Sequence, residues 1–282
     1  MPFSVYYRKG QTKGDKLMNL NWDYIDRYAK SLIKEAGHKI RVSFFSHIHI
    51  DTKSSADDLV TNIDIEVEQF FISRIQADFP DHKIIGEEGF GDDGKSLDGV
   101  VWILDPIDGT MNFVRQKRNF AISLGVYVDG VGMLGYIYDV VRDDFYHAKK
   151  DHGAYLNDEK LPQLENIPLR KAIIGVNARW VAPNRFIDHE KMIGLVLECR
   201  GTRSYGSAAI ELAYVSSGRL DAYMSMRLSP WDVAGGMVIA QEVGAVATNL
   251  NGEQLQLLGQ DSFIIARPGL HNDILTNYIR LK

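Results

Sequence analysis

Between Asn21 and Ile40 the apolar residues Trp22, Ile25, Tyr28, Leu32, Ala36 and Ile40 recur every third or fourth position. That spacing lines one face of an α-helix, and Asn21 stands where a side-chain cap is needed. A second helix is predicted from about Asn62 to Ala77, with Ile65, Ile72, Ile75 and Phe79 turned inward and Pro80-Asp81 marking its exit. Short β-like runs follow at Ile84 to Ile85, Val100 to Leu104, Ala121 to Val128 and Met133 to Val140, the last two joined by Asp129-Gly130. Beyond residue 172, strand-like pieces (Ala172 to Val176, Asp221 to Met226, Ala245 to Leu250, Ser262 to Ala266) alternate with helical ones (Phe186 to Leu197, Ser207 to Ser216, Trp231 to Val243, Gly269 to Ile279). Layers of mixed α+β and α/β character are the economical way to bury such an order of elements. The sequence carries no internal repeat, heptad or low-complexity tract.

Residues 1–19 are polar, basic and aperiodic, and they are set apart as a disordered lead-in, with Met18 a candidate natural start. Residues 20–282 are expected to form one domain, with an N-terminal half over about 20–170 and a C-terminal half over 171–282. No linker marks a boundary between them. At 282 residues the chain can bury a substantial core without staples. Its lone cysteine, Cys199, cannot form an intramolecular bridge, which points to a reducing compartment and hence the cytoplasm. A lone cysteine is more often buried structure than a catalytic thiol. No apolar run reaches the roughly 18 residues of a membrane span, and the opening MPFSVYYRKG lacks the apolar core of a signal peptide. With 32 basic and 37 acidic residues the net charge is -5, so neither nucleic acid nor an anionic membrane is an expected partner.

Chemistry concentrates where the run Val100 to Leu104 ends in Asp105-Pro106-Ile107-Asp108-Gly109-Thr110. A buried strand delivers Asp105 to a cleft, and Pro106 fixes one φ so that Asp105, Asp108 and the Ile107 carbonyl can surround a single point. The tight turn at Gly109-Thr110 offers backbone N–H groups to a phosphate oxygen. Taken alone, such a segment is a strand followed by a type I turn with solvated acids. Glu87 and Glu88 change that balance, because they place a second pair of acids after the short run ending at Gly86. Like charges about 4 Å apart repel by about 4 kcal/mol at an effective dielectric of about 20, so acids gathered in one cleft require cations or raised pKa values. With no His or Cys at metal-binding spacing nearby, oxygen ligands point to Mg²⁺ or Mn²⁺ rather than Zn²⁺. The His47 and His49 pair has strand-like spacing and no third ligand in view.

These segments resemble the inositol monophosphatase family in sequence and in order. The matching runs are Gly86-Glu87-Glu88, Trp102 through Val114, and Trp231-Asp232-Val233-Ala234-Gly235-Gly236, with Lys53-Ser54-Ser55 and Asp58 through Asp64 upstream. The resemblance spans about residues 20–280 and implies a layered αβαβα sandwich, usually a homodimer, with Mg²⁺-dependent, lithium-sensitive phosphomonoesterase activity. It further implies that Glu87, Asp105 and the Ile107 carbonyl hold one Mg²⁺ and that Asp105, Asp108 and Asp232 hold a second. Glu87 is implied to assist a third, weaker ion. Asp64 and Thr110 would form a hydrogen-bonded pair that activates the attacking water, with Glu88 beside the first metal through water. Gly109, Thr110, Gly206, Ser207, Ala208, Ser225 and Asp232 would contact substrate, and Lys53 would lie on a loop that closes over the metals.

Simpler roles stand beside these. Asp232 and Ser207 are at ordinary helix-start positions, and Thr61 reads better as the cap of the helix carrying Asp64 than as a catalytic group. Ser225 stands where inositol-preferring members carry an acid, which weakens inositol specificity. Arg227, two residues on, would bring a positive charge either to the pocket or to solvent. Expected substrates are therefore inositol monophosphate, with fructose 1,6-bisphosphate, NADP or 3'-phosphoadenosine 5'-phosphate as alternatives. Two other readings remain. The run Asp108-Gly109-Thr110 superficially resembles haloacid-dehalogenase-like phosphatases, which form a phospho-aspartate, but their two acids are two residues apart and here they are three. A metal-dependent regulatory or binding protein with little turnover is the alternative of another class.

Overall fold

The computed structural model describes residues 20–46, 48–52 and 59–282. The lead-in 1–19, His47, and the run from Lys53 to Asp58 lie outside the described residues. Helix α1 (Trp22–Ser43) begins at Asn21, whose side chain accepts the Tyr24 N–H, and buries Ile25, Ala29, Leu32, Ile33, Ala36 and Ile40. Strands β1 (Ile50–Thr52) and β2 (Leu59–Thr61) pair antiparallel and lead into α2 (Asn62–Asp78). The cap at Thr61 fixes the phase of α2 so that Ile63, Val67, Phe71 and Ile75, four residues apart, form its buried stripe. Ile65 was expected on that stripe and is only half-buried, since two helical steps turn it about 200° from Ile63. Asp64 and Glu68 share the buried side, which widens it beyond what an apolar pattern reveals.

A seven-stranded sheet takes β3 (Lys83–Gly86), β4 (Val100–Asp108), β5 (Ala121–Val128), β6 (Val131–Asp139), β7 (Asp144–Lys149), β8 (Gly153–Leu156) and β9 (Glu159–Lys160) in sequential order. Only β3 and β4 run parallel. The β5–β6 hairpin turns at Asp129 and Gly130, both at positive φ (48° and 80°) as its expected turn requires. The hairpins of β7 to β9 were not expected from the apolar pattern. They turn at Asp143, Asp151 and Asn157, each again at positive φ.

A second sheet of five strands has the order β11-β10-β12-β14-β13, built from β10 (Ile173–Val176), β11 (Gly201–Arg203), β12 (Ala222–Leu228), β13 (Val246–Thr248) and β14 (Asp261–Ala266). Side-chain alternation along the strands then sorts the layers. Trp102, Leu104, Leu124 and Tyr136 of the first sheet pack with α1 and α2. From its other face Val101, Ile103 and Ile137 join helices α6 (Ala208–Ser216) and α7 (Pro230–Glu242), against which Tyr223, Phe263 and Ile265 of the second sheet also pack. The far face of that sheet, with Ile174, Met224 and Ile264, covers the short α4 (Ala178–Val181), α5 (His189–Glu198) and α8 (Leu270–Tyr278). The result is the αβαβα order of layers. The central helix α7 lies unusually close to the first sheet. A Cβ on Gly235 would come 2.5 Å from the Tyr136 carbonyl oxygen, and one on Gly135 would come 2.3 Å from that of Gly235.

Candidate metal centre

All nine residues of β4 are buried, and the strand runs on past Leu104, where the sequence pattern ended it, to Asp108. Asp105 pairs with Ser123 and Asp108 with Ala121, so three steps on β4 oppose two on β5. Pro106 has no N–H to give the ladder, and the extra residue is absorbed as a bulge. The bulge turns both acids toward one point rather than leaving them in a solvated turn. The Ile107 N–H donates to Asp105 Oδ1 at 3.0 Å, while Asp105 Oδ2 is buried with no hydrogen-bond partner among the described residues.

The third acid arrives from a distance in sequence. Asp232 is the third residue of α7, where it accepts the Ser229 N–H at 2.7 Å in a reciprocal cap. One oxygen each from Asp105, Asp108 and Asp232 lie within 4.8 Å of one another. Glu87, in the turn after β3, is tied by its N–H to the Leu104 carbonyl at 3.3 Å, and its carboxyl lies close enough to Asp105 to raise that group's pKa. Burial, followed by the charges of Glu87, Asp108 and Asp232, pushes the Asp105 carboxyl well above the usual carboxylate range. Asp108 is pushed up to about 6, chiefly by burial, against the opposing pull of hydrogen bonds from Ser207 and Ala209. The Ala209 N–H donates to Asp108 Oδ2 at 2.7 Å, and the Ser207 hydroxyl donates to the same oxygen. Crowded acids, one with an orphaned buried oxygen, fit a hard divalent cation that would supply both the missing partner and the missing charge.

Beside this cluster, α3 (Thr110–Gln116) starts from Gly109, which takes φ +96°. The Thr110 hydroxyl reaches both Asp64 Oδ1 and the Ile107 carbonyl at 3.2 Å. Asp64 Oδ2 accepts the Thr61 N–H at 2.9 Å and also the Thr61 hydroxyl, so Thr61 is indeed the cap. Gly206 and Ser207 abut Gly109, since a Cβ there would lie 3.2 Å from the Gly206 carbonyl oxygen and from Ser207 Cβ. Ser207 caps α6 as well as bonding Asp108. Glu88 is half-buried and donates its N–H to Glu68. Ser225 is buried on β12, with its hydroxyl 3.5 Å from both the carbonyl and the N–H of Arg227. Arg227 itself is exposed and donates to Gln260. It lines a cavity of about 450 Å³ with Arg185, Phe186 and Lys282, and none of the clustered acids lines that cavity. Of its two expected placements, these contacts fit the solvent-facing one.

Among the buried acids that sequence reading did not single out, Glu68 and Glu211 lie beside the centre, Glu68 behind the Glu87-Glu88 turn and Glu211 near Asp108. For Glu68 the available signal was its place one helical turn after Asp64. Glu211 had none, because a Glu inside a helical run is ordinarily solvated.

A layered fold with acids gathered from several strand and helix ends is shared with a class of metal-dependent phosphatases. The sequence profile described as the inositol monophosphatase family matches residues 21–280. The inositol-1-monophosphatase of Bacillus subtilis is 52% identical over 262 residues, covering 93% of this chain and 99% of that one. A Staphylococcus aureus inositol monophosphatase II structure superposes with a TM-score of 0.83 at 42% identity, covering 91% of this chain and 96% of the other. A structure described as an IMPase/NADP phosphatase with NADP and Ca²⁺ gives 0.85 at 27% identity, covering 93% and 100%. The chain belongs to the inositol monophosphatase family, and it is a phosphatase, a phosphoric monoester hydrolase of a metal-dependent kind.

Proposed function

We propose that this chain hydrolyses small phosphate monoesters by direct attack of water, with Mg²⁺ held by Glu87, Asp105, Asp108, Asp232 and the Ile107 carbonyl. The observation that carries the reading is the buried Asp105 Oδ2, without a hydrogen-bond partner among the described residues, inside a cluster of three acids; Asp105 stands on the segment that ends at Thr110, whose hydroxyl bonds Asp64. Two or three Mg²⁺ are proposed, with Mn²⁺ a substitute. Bound there, divalent ions would acidify water and neutralise the leaving oxygen. Thr110, with its hydroxyl directed at Asp64, orients the attacking water, and Asp64 takes its proton through that hydroxyl. Glu88 assists at the edge of the cluster. The N–H groups of Gly109 and Thr110 receive a phosphate oxygen, and Gly206, Ser207, Ala208 and Ser225 with Asp232 line the ester's alcohol side.

Inositol monophosphate is the first proposed substrate, supported by the name of the Bacillus subtilis relative and by its 52% identity. The uncharged Ser225 supports a wider range that includes fructose 1,6-bisphosphate, NADP and 3'-phosphoadenosine 5'-phosphate. Residues 20–282 form the proposed catalytic unit, with its halves meeting near residue 170. This division is supported by one sheet using residues 83–160 and the other 173–266. No helix among the described residues is long and apolar enough to cross a membrane. A cytoplasmic, lithium-sensitive homodimer completes the proposal. Lithium sensitivity is supported by a Staphylococcal inositol monophosphatase-1 solved as a LiCl-soaked inhibitory complex, 28% identical with a TM-score of 0.84.

Phosphate release from a panel of those four esters, with Mg²⁺ and with EDTA, tests the reading. Release that needs Mg²⁺, with inversion at a chiral phosphorus, is expected. Silence on the whole panel would favour the binding-protein alternative, and retention would favour a phospho-aspartate.

A further inference from the structure

The Glu87-Glu88 turn is held from behind by a buried acid that belongs to neither proposed metal site. Glu68 sits on α2 one turn after Asp64 and is 0% exposed. Its Oε2 accepts the Glu88 N–H at 2.7 Å and its Oε1 accepts the Phe90 N–H at 3.0 Å. A Cβ on Gly86 would lie 2.4 to 2.6 Å from the carboxyl atoms of Glu68, so only glycine lets the carboxyl group press against this turn. Gly89, at φ +79°, bends the backbone between the two donors. Two backbone N–H groups bonded to the two oxygens of one buried carboxyl fix a four-residue turn more firmly than a solvated loop would be fixed.

One helix therefore touches both halves of the proposed centre. Asp64, in its first turn, bonds Thr110 at the end of the Asp105-to-Thr110 segment, and Glu68, one turn later, bonds the turn carrying Glu87. A helix turn has a fixed pitch of about 5.4 Å, so the spacing of these two acids sets the spacing of the two loops. We propose that Glu68 is a positioning residue for divalent-ion binding: it presets the distance of Glu87 from Asp105 without itself touching ion or substrate. The inference rests on the metal reading above. Outer partners of ligands commonly carry about 10- to 100-fold of metal affinity.

The test uses the full chain with Glu68→Ala, Glu68→Gln and, separately, Gly86→Ala, which leaves Glu68 in place but drives a methyl group into its carboxyl. Binding of Mn²⁺ is read by electron paramagnetic resonance without substrate, and turnover is read against Mg²⁺ concentration and against substrate. Expected for Glu68→Ala and Gly86→Ala is a rise of about 10-fold or more in half-saturating Mg²⁺, with a matching loss of Mn²⁺ affinity. KM for substrate at saturating Mg²⁺ should stay within about 3-fold. Glu68→Gln keeps one acceptor oxygen and should fall between wild type and Glu68→Ala. If Glu68→Ala does not fold, Gly86→Ala carries the test alone. Unchanged Mn²⁺ and Mg²⁺ dependence in a folded variant overturns the inference, as does a loss that falls on KM alone. If the wild-type chain binds no Mn²⁺ and shows no Mg²⁺-dependent turnover, the metal reading has failed instead, so the two failures are distinguishable.

Discussion

The hydroxyl of Thr110 lies 3.2 Å from Asp64 Oδ1, joining residues 46 positions apart, while the other oxygen of Asp64 is occupied by Thr61. With Oδ2 so engaged, the Asp64 carboxyl group is oriented and one oxygen remains for Thr110. Replacing Thr110 by Ala removes the hydroxyl that lies between Asp64 and the proposed water, and leaves the Asp64–Thr61 cap intact. A fall in kcat of about 10²-fold or more is expected, the usual scale for a proton-transfer group. The same variant should lose only about 1 kcal/mol of stability for its hydrogen bonds. Steady-state kinetics beside thermal unfolding checks it, and a kcat near that of wild type would remove Thr110 from the mechanism.

Asp105 gives a prediction of opposite sign with and without metal. In EDTA its buried, crowded carboxyl is a burden on the fold, so Asp105→Asn should raise the melting temperature of the metal-free protein. In Mg²⁺ the order should reverse. Wild type gains about 2.7 kcal/mol at 100 times the dissociation constant, and the variant gains little. Differential scanning fluorimetry in both media reads the crossing, and parallel responses in both proteins would remove Asp105 as a ligand.

Glu211 predicts a pH dependence. It is buried inside α6, and burial, reinforced by the nearby Asp108 charge and opposed by the Tyr205 N–H bond at 2.7 Å, pushes its carboxyl up to about 7. Its Oε2 has no hydrogen-bond partner among the described residues, and a Cβ on Gly175 would come within 2.4 Å of it. The native value lies above the ordinary one of 4.5, so its contribution is whole below about 4.5 and is lost as pH rises through about 7. The full loss is roughly 3 kcal/mol at 1.36 kcal/mol per unit. Glu211→Gln keeps an oxygen for the Tyr205 N–H and removes the ionisation. Its melting temperature relative to wild type should therefore climb between pH 5 and pH 8. A constant difference across that range would show that Glu211 does not titrate there.

Gly235 links packing to the proposed centre. A methyl group there meets the Tyr136 carbonyl at 2.5 Å and Leu124 backbone atoms at 2.9 and 3.0 Å, and backbone cannot step aside as a side chain can. Gly235→Ala should cost about 1 to 3 kcal/mol and shift α7 outward. Asp232 starts the same helix, so the half-saturating Mg²⁺ should rise together with the loss in melting temperature. A stable variant with unaltered Mg²⁺ dependence would show that α7 can settle without moving Asp232.

The sequence by itself determined which segments are helix and strand wherever one face is apolar. The stripe of α1, the run of β5 and the Asp129-Gly130 turn all follow from local spacing. It also carried the motif acids, because Asp105-Pro106-Ile107-Asp108-Gly109-Thr110 is contiguous and its bulge follows from a proline inside a strand. Only the tertiary structure decided that β4 continues to Asp108 and that Asp232 arrives from more than 120 residues away to within 4.8 Å of its partners. It also decided that Glu68 and Glu211 are buried. The physical reason is that burial of a charged side chain depends on which backbone N–H groups fold against it. Those donors come from other elements, so no local period of apolar and polar residues records them.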